Sequence, residues 1–251
     1  MTNTPDTLST PIRPEAGRSP FRLDRRPSLA RSAAERLIEA IEDGTLKQGQ
    51  HLVETEMARK LGISRGPLRE AFKILAADGL VEILQDRGAF VATHSPEDIE
   101  QMIVVRAMTE GMAARLFVTR ALPEQRDRVR AILRAMASAG GESRSRDWRE
   151  LDWQFHEAVL LGSGNRFLMQ SWRTLGRLLR VYVMHVNPLY DLHAERFLKT
   201  HQMLGDAVLA DDPGAAEALF RQTILSTGFF VLGRGIPSEF ATEVAPGEPS
   251  S

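Results

Sequence analysis

The length and composition of the chain, 251 residues of which 43% are hydrophobic and 26% charged, allow one large domain or two small ones. Its 32 Lys and Arg residues against 33 Asp and Glu residues give a net charge of -1. This balance excludes a uniformly basic surface for nucleic acids but allows one local basic patch. The absence of cysteine excludes a disulfide framework, a thiolate metal site and a cysteine nucleophile.

The sequence contains no segment that predicts insertion into a membrane or secretion. No run of residues approaches the ~18 consecutive apolar positions that a spanning helix needs. The first 20 residues also lack the apolar stretch of a secretory signal. We therefore expect a cytoplasmic protein with no membrane partner.

Both ends of the chain lack the hydrophobic periodicity of packed elements. Residues 1–27 are rich in Thr, Ser, Pro and Arg, and residues 234–251 contain Pro237, Pro246 and Pro249. Such segments bury too little apolar surface to offset the entropy that is lost on ordering. We therefore predict a disordered tail at 1–27 and a flexible tail at 234–251.

Residues 28–94 combine helical periodicity with two short strand-like runs. Ser28 and Ser64 are suitable helix N-caps, and Gly62 is typical of a helix end. Residues 85–88 separate the strand-like runs as the turn of a β-hairpin does. The predicted elements are helices at 29–43, at 54–61 and between Ser64 and Gly79, followed by strands at 80–84 and 89–92.

Residues 95–233 are helical throughout, and proline, glycine pairs and an Asp-Pro-Gly segment divide them into six stretches. The predicted helices are 96–121, 123–139, 145–161, 165–186, 190–210 and 213–233. We therefore predict a mainly α protein with two domains. The first, at 28–94, has three helices plus a β-hairpin, and the second, at 95–233, is an all-α antiparallel helical bundle.

Residues 54–71 have the arrangement helix, glycine-containing turn, helix, in which the second helix lies in the DNA major groove. Residues 58–73 carry five basic side chains against one acidic side chain, a net charge of +4. Arg65 and Arg69 are four positions apart on one helical face, and the arginine fork matches guanine edges or phosphates. Ser64 and the helix N-terminus can hold a phosphate oxygen.

Arg87 and Gly88 lie at the tip of the predicted hairpin. Glycine permits a close approach to the sugar–phosphate backbone, and arginine suits the negative minor groove. Basic helices are often only solvated surfaces. A module of the same fold that binds protein instead of DNA is therefore an alternative.

Residues 46–54, 61–71, 78–81 and 87–91 closely resemble the winged helix-turn-helix of GntR-family bacterial transcription regulators. The resemblance extends over about 29–93 and implies that Arg65 and Arg69 are the chief operator contacts. The full set of predicted DNA contacts is Thr55, Ser64, Arg65, Gly66, Arg69, Arg87 and Gly88. Several relatives carry arginine at the position of Thr55. Threonine can reach a phosphate but cannot form the guanine fork, so the bases contacted there should differ.

Asp152 and His156 are four positions apart and share one face of the predicted helix 145–161. A carboxylate oxygen and an imidazole nitrogen at this spacing can chelate one divalent cation. The same residues can equally form a hydrogen-bonded pair without a metal. The pair alone therefore leaves both alternatives open.

Four motifs of the second domain resemble the FCD effector domain of the FadR subfamily, an all-α domain often found in GntR regulators. They are Arg106-Ala107-Met108-Thr109-Glu110, Asp152-Trp153-Gln154-Phe155-His156, Ser163-Gly164-Asn165 and His201. The resemblance implies that Asp152, His156 and His201 match the first three ligands of metal-binding members. Thr223 occupies the position of the usual fourth ligand, a histidine. Three protein ligands still make an open site for Zn, Ni or Mn, completed by water or an effector carboxylate.

Arg106 is the second candidate for effector binding. An arginine inside a bundle can bind a carboxylate or phosphate through two N–H groups, and the resemblance places Arg106 near the effector cavity. The alternative partner is Glu110, one helical turn away. Asn165 can line the same cavity or end the loop 162–164. Weaker candidates for the lining are Trp172, Tyr182, His185 and His193.

These observations predict a ligand-responsive DNA-binding transcription regulator that is a repressor and binds a pseudo-palindromic operator as a homodimer. A small anionic metabolite is the expected effector, acting through residues 94–96 and the helix that follows them. We predict no enzymatic activity. The alternative is a metal-dependent enzyme that uses Asp152, His156 and His201, although no acid or base is evident beside them.

Overall fold

The computed structural model describes residues 28–139, 146–186, 194–238 and Phe240. Its architecture is mainly α with one small antiparallel sheet in the N-terminal region, so the predicted fold class is confirmed. The elements are α1 (Leu29–Glu42), β1 (His51–Leu52), α2 (Glu54–Leu61), α3 (Arg65–Ala77), β2 (Val81–Leu84), β3 (Gly88–Val91), α4 (Pro96–Arg120), α5 (Pro123–Ala139), α6 (Arg146–Gly162), α7 (Arg166–Val186), α8 (Ala194–Leu209) and α9 (Pro213–Val231).

Local sequence signals explain where several helices begin and end. The Ser28 hydroxyl accepts a hydrogen bond from the Arg31 backbone N–H at 3.2 Å at the start of α1. Ser95 and Asp98 form a capping box at the start of α4. α2 ends at Gly62, whose φ of 66° lies in the left-handed region that glycine adopts without strain. The predicted bounds of these helices agree with the structure to within one or two residues.

The sheet has the strand order β1–β3–β2, and both pairs are antiparallel. β2 and β3 form the predicted hairpin, in which Leu84 lies opposite Gly88. β1 was not predicted because two residues are too few to show a strand period. Its residue His51 lies opposite Phe90, so β1 attaches the hairpin to the segment before α2.

The described residues form two hydrophobic cores. One lies among α1, α2, α3 and the sheet and contains Leu68 and Phe72, and the other fills the bundle and contains Phe117 and Phe155. In the bundle, α4 packs against α9 through glycine. A Cβ added at Gly228 would lie 2.6 Å from Ile103 Cγ2, so this close contact requires glycine.

Helix α7 connects the two cores. Its residues Leu178 and Val181 are buried in the N-terminal core, although most of the helix belongs to the bundle. Two ion pairs flank this contact, Arg177 Nη1 with Asp78 Oδ2 at 2.9 Å and Arg180 Nε with Glu42 Oε2 at 3.6 Å. α7 is therefore a non-covalent connection between the two regions, in addition to the covalent one before α4.

The structure describes the first residues of the predicted C-terminal tail, 234–238 and Phe240. Arg234 pairs with Glu97 and Glu100, and Ile236 and Phe240 pack against the bundle core. Two apolar side chains in an otherwise polar segment are enough to attach it. The predicted helix 190–210 begins in the described residues at Ala194, and 1–27, 140–145, 187–193 and 241–251 lie outside them. Among the described helices, none has both the length and the hydropathy to cross a membrane.

Candidate DNA-binding surface and effector site

The start of α3 and the hairpin tip expose the residues predicted to contact DNA. All seven, Thr55, Ser64, Arg65, Gly66, Arg69, Arg87 and Gly88, are exposed. Ser64 is the N-cap of α3, and its hydroxyl makes no capping hydrogen bond within the described part of the chain. The predicted contacts are therefore accessible to a partner.

Arg69 is held by a carboxylate that the sequence did not indicate. Its guanidinium donates two hydrogen bonds to Glu54 of α2, from Nε to Oε1 at 2.8 Å and from Nη2 to Oε2 at 2.9 Å. The hydrogen bond to Arg69 also lowers the pKa of Glu54. The two residues are 15 positions apart, so no helical spacing relates them. Arg69 must release or share this carboxylate when it binds a phosphate or a base.

Gly88 is required by the hairpin itself. Its φ is 93°, and an added Cβ would lie 2.9 Å from the His51 Nε2 atom. The His51 ring stacks on Phe90 with centroids 4.6 Å apart, and the Arg87 guanidinium carbon is 5.9 Å from the Phe90 ring centroid. Glycine therefore makes room for the His51 side chain, a structural reason that the sequence did not show.

In the bundle, α6 and α8 bring Asp152, His156 and His201 together. His201 Nε2 lies 2.7 Å and His156 Nε2 lies 3.9 Å from Asp152 Oδ1. One ligand atom from each residue lies within 4.8 Å of the other two. Burial alone would raise the pKa of Asp152. The hydrogen bond with His201 and the nearby positive groups outweigh burial and lower that pKa to about 2, so Asp152 is a carboxylate.

An oxygen atom orients each histidine from the side away from Asp152. His201 Nδ1 is 2.7 Å from the Phe197 carbonyl oxygen, and His156 Nδ1 is 2.5 Å from Glu110 Oε2. Both oxygens only accept, so Nδ1 is the protonated nitrogen and Nε2 of each ring faces Asp152. The contact between His201 Nε2 and Asp152 then needs a proton shared by the two atoms, or one cation that both atoms bind. This donor set fits a divalent cation, because metal-bound imidazoles usually donate their other N–H in this way.

Glu110 of α4 organises the far side of the cluster. It is fully buried, and its Oε1 accepts hydrogen bonds from Arg106 Nε and Trp172 Nε1, both at 2.6 Å. Burial alone would raise its pKa, but the charges of Arg106 and His156 outweigh burial and lower it to about 2. Glu110 is therefore an ionised carboxylate whose Oε1 accepts both hydrogen bonds, while its Oε2 lies beside His156 Nδ1.

A cavity of about 60 Å³, measured as the space open to the centre of a water molecule, lies beside the cluster. Thr223, at the position of the missing fourth ligand, lines it together with the three predicted ligands. Arg106 also lines the cavity while it is paired with Glu110. A position beside the effector and an ion pair with Glu110 are therefore compatible. The lining residues are Ile99, Ile103, Arg106, Asp152, His156, Leu179, Phe197, Thr200, His201, Leu204, Thr223, Ile224, Thr227, Gly228, Val231 and Leu232.

Comparison with known proteins agrees with this architecture. The family model for bacterial regulatory proteins of the gntR family matches residues 29–91, and the FCD domain model matches residues 101–225. An HTH-type transcriptional regulator in the TAR-I ttuE-ttuC' intergenic region of Agrobacterium vitis is 37% identical over 125 residues, covering 48% of this chain and 72% of that protein. The chain belongs to the GntR family and carries an FCD domain.

Two further similarities extend over most of this GntR regulator. The probable D-xylose utilization operon transcriptional repressor of Paenarthrobacter nicotinovorans is 29% identical over 192 residues, 76% of this chain and 84% of that protein. A GntR transcriptional regulator from Rhodococcus sp. RHA1 has a structure with a TM-score of 0.71 and 25% identity, covering 82% of this chain and 99% of that chain. The protein is thus a DNA-binding transcription regulator, and no comparison supports the alternative of a metal-dependent enzyme.

The structure does not bring Asn165 to the effector cavity of this GntR regulator. Its Oδ1 accepts hydrogen bonds from the backbone N–H groups of Phe167 at 3.0 Å and Leu168 at 3.3 Å. Asn165 therefore ends the loop 162–164 and caps α7, as asparagine commonly does before a helix. Of the two roles considered for Asn165, these contacts match the end of the loop, and its contact with an effector stays a prediction.

The sequence did not predict every residue around the site. Trp172 does not line the cavity but supports Glu110 from α7, and Thr200 and Thr227 line the cavity without having been predicted to do so. Thr227 is four positions after Thr223, the one sequence signal that could have indicated it. The side chains of the remaining candidates, Tyr182, His185 and His193, lie outside the described part of the chain.

Proposed function

We propose that this GntR regulator binds operator DNA through α3 and the hairpin, and that a small anionic effector in the bundle changes its operator affinity. The observation that carries the proposal is the cluster of half-buried Asp152 and buried His156 and His201 beside a cavity. Repression is the proposed outcome, and the cytoplasm is the proposed location. No catalytic role is assigned to the cluster.

The cluster is the proposed site of one divalent cation, Zn, Ni or Mn. Asp152 Oδ1 and the Nε2 atoms of His156 and His201 would hold it, and Glu110 and the Phe197 carbonyl would fix the imidazoles. Such a cation supplies a positive centre that attracts the carboxylate of an effector. Thr223 in place of a fourth imidazole leaves a coordination position to water or to the effector.

Helix α4 is the proposed dimer interface. Val105, Met108 and Met112 are spaced by three and four positions, and 47%, 44% and 39% of their respective surfaces are exposed. This spacing forms one apolar stripe along the 25-residue helix, of the kind that buries itself against a second copy. Replacing Met108 with Lys should give a monomer in light-scattering measurements, while Met203→Lys, at an exposed Met on α8, should leave the dimer intact.

Two connections can carry the effector state to the DNA-binding domain. The first is the predicted one, residues 94–96 with α4. The second is α7, on which Trp172 contacts Glu110 and Leu179 lines the cavity. Leu178 and Val181, one position before and two positions after Leu179, are buried in the N-terminal core. An effector acts only through a difference in affinity between DNA-competent and incompetent arrangements, and a rigid helix with both contacts can convey that difference.

The testing experiment combines metal content with DNA affinity. Untagged protein, purified without chelator or added metal, should contain about one divalent cation per chain by elemental analysis. Arg65→Gln and Arg69→Gln should each weaken binding to DNA selected from a random pool, by roughly 5- to 150-fold if a base is contacted. Arg130→Gln, at an exposed arginine of α5, is the matched control. Unchanged DNA affinity and salt dependence in both variants would contradict binding through α3 and favour a protein partner.

A further inference from the structure

The lining of the effector cavity combines a polar cluster with aliphatic side chains, and this composition limits the ligand. Asp152, His156 and His201 lie close together, and Arg106 lines the same cavity. Eight of the sixteen lining residues are Ile, Leu, Val or Phe, contributed by α4, α7, α8 and α9. A ligand that fills the cavity must therefore present a charged head and a hydrocarbon tail.

The charges around the polar cluster match a single negative charge. Arg106 contributes +1, Glu110 and Asp152 contribute -1 each, and both histidines are neutral when they bind a metal. A divalent cation brings the sum to +1. One carboxylate neutralises this sum, whereas a dicarboxylate adds a second negative charge that has no positive partner among the lining residues, which is costly beside a largely aliphatic lining.

Two threonine hydroxyls in the cavity are available to a ligand. Thr109, Thr119 and Thr200 donate their hydroxyl protons to carbonyl oxygens of their own helices. The hydroxyls of Thr223 and Thr227 make no hydrogen bond with the residues that the structure describes, and the two are four positions apart on the cavity face of α9. They can bond one polar substituent near the carboxylate.

The cavity is too apolar for a polyhydroxy acid, and its volume limits the length of the ligand. Its 60 Å³ corresponds to about four to six water molecules, which is the volume of an acid of about four to six carbons. A sugar acid carries further hydroxyls, and half of the lining residues offer no group that could hydrogen-bond to them. Each hydroxyl that is left without a partner costs roughly 10-fold in affinity or more.

Resting on the proposed metal site, we propose that the effector is a short aliphatic monocarboxylate of about four to six carbons with one hydroxyl or oxo group beside the carboxylate. The carboxylate lies against the cation and Arg106. The substituent bonds to Thr223 and Thr227, and the tail packs against Ile99 and Ile103 of α4.

Titration calorimetry of the full-length, zinc-loaded protein tests this assignment with four probes of similar size. We expect 2-hydroxyisovalerate to bind at least about 10-fold tighter than isovalerate, which lacks the hydroxyl. The difference in affinity should be larger still between 2-hydroxyisovalerate and two other acids, the dicarboxylate malate and the polyhydroxy acid threonate. Tighter binding of malate or threonate would overturn the assignment.

Isosteric variants locate the ligand in the cavity. Thr223→Val and Thr227→Val keep the side-chain shape, and each should weaken 2-hydroxyisovalerate by roughly 5- to 10-fold while changing isovalerate less than about 2-fold. Thr119→Val, outside the cavity, should change neither. Equal effects on both ligands would overturn the hydroxyl contact.

A separate zinc titration distinguishes this inference from the proposed function. If zinc binds and malate is preferred, the effector class is wrong while the metal site stands. If zinc does not bind, the metal site fails and the charge count fails with it. DNA affinity measured on the same samples shows whether the DNA-binding part of the proposal holds in either case.

Discussion

Two carboxylates of this GntR regulator hold an arginine at similar distances in opposite surroundings. Glu110 is fully buried in the bundle and accepts from Arg106 Nε at 2.6 Å, whereas Glu54 accepts from Arg69 at 2.8 and 2.9 Å on the surface. The Arg106 side chain is 19% exposed and the Arg69 side chain 60% exposed. The chemistry is the same, but only one pair is isolated from water.

The difference explains the separate roles of the two pairs. Buried ions are stable only when further hydrogen bonds satisfy them, and Glu110 has Trp172 and His156 as additional partners. Removing one partner leaves an uncompensated charge, so this network is a fixed support for the site. Water can replace either partner of the exposed pair. Arg69 can therefore leave Glu54 and bind a DNA phosphate instead at little cost.

The largest expected effect is that of Glu110→Gln. The amide cannot accept from every former partner and leaves Arg106 without its carboxylate, so the free energy of unfolding should fall by about 3–5 kcal/mol. Metal affinity should also fall by about 10- to 100-fold, because His156 loses its orienting acceptor. Urea unfolding and a zinc titration measure both effects.

The control for this variant is Glu217→Gln, which removes an exposed carboxylate 3.1 Å from Arg115. Its unfolding free energy should change by less than about 1 kcal/mol. A similar loss of unfolding free energy in both variants would show that burial does not determine how much an ion pair contributes to stability.

The pH dependence of stability comes next in size. In the metal-free protein, the pKa of Glu110 falls from 4.5 to about 2 on folding. A lowered pKa contributes stability that is fully present above the unfolded value and is lost as the pH falls through the folded value. We therefore expect a loss of about 3 kcal/mol between roughly pH 5 and pH 2. Glu110→Gln should flatten the pH profile of the unfolding midpoint, and an unchanged slope would contradict the network.

The exposed pair should affect DNA binding more than stability. Glu54→Gln releases Arg69, so we expect tighter DNA binding, by a few-fold, with a nearly unchanged unfolding midpoint. Glu56→Gln is the matched control, because Glu56 also lies on α2 but pairs with Lys60 at 2.7 Å. Weaker DNA binding by Glu54→Gln would show instead that the carboxylate positions Arg69 for its contact. Filter binding across a salt series measures the affinity and its salt slope.

A small effect on stability is also expected at the α7 contact. Arg177→Asp breaks a half-exposed pair with Asp78, so it should cost only about 0.2–1 kcal/mol. It should nevertheless reduce the change in DNA affinity that the effector produces, and the charge swap with Asp78→Arg should restore that change. Arg173→Asp is the control, because Arg173, also on α7, pairs at the surface with Glu157 of α6 and not with the DNA-binding domain. Equal loss in both variants would exclude a specific role for the contact between the domains.

The local elements of this protein could be predicted from the sequence because their signals are local. The left-handed glycine after α2, the capping box at Ser95 and the helical spacing of Asp152 and His156 all act within a few residues. The family resemblance indicated that His201 lies with Asp152 and His156, and that Thr223 lies beside these three residues. The structure places all four residues at one cavity.

The supporting contacts depended on the tertiary structure. Glu110 meets Trp172 at a separation of 62 positions, Arg69 meets Glu54 at 15, and Arg177 meets Asp78 at 99. Asn165 carries the same amide whether it binds an effector or caps α7, and only the packed fold selects the cap. Sequence periodicity determined which helices form and which faces they bury. Which side chains meet inside depends on how the helices pack, because a partner distant in sequence leaves no periodic signal.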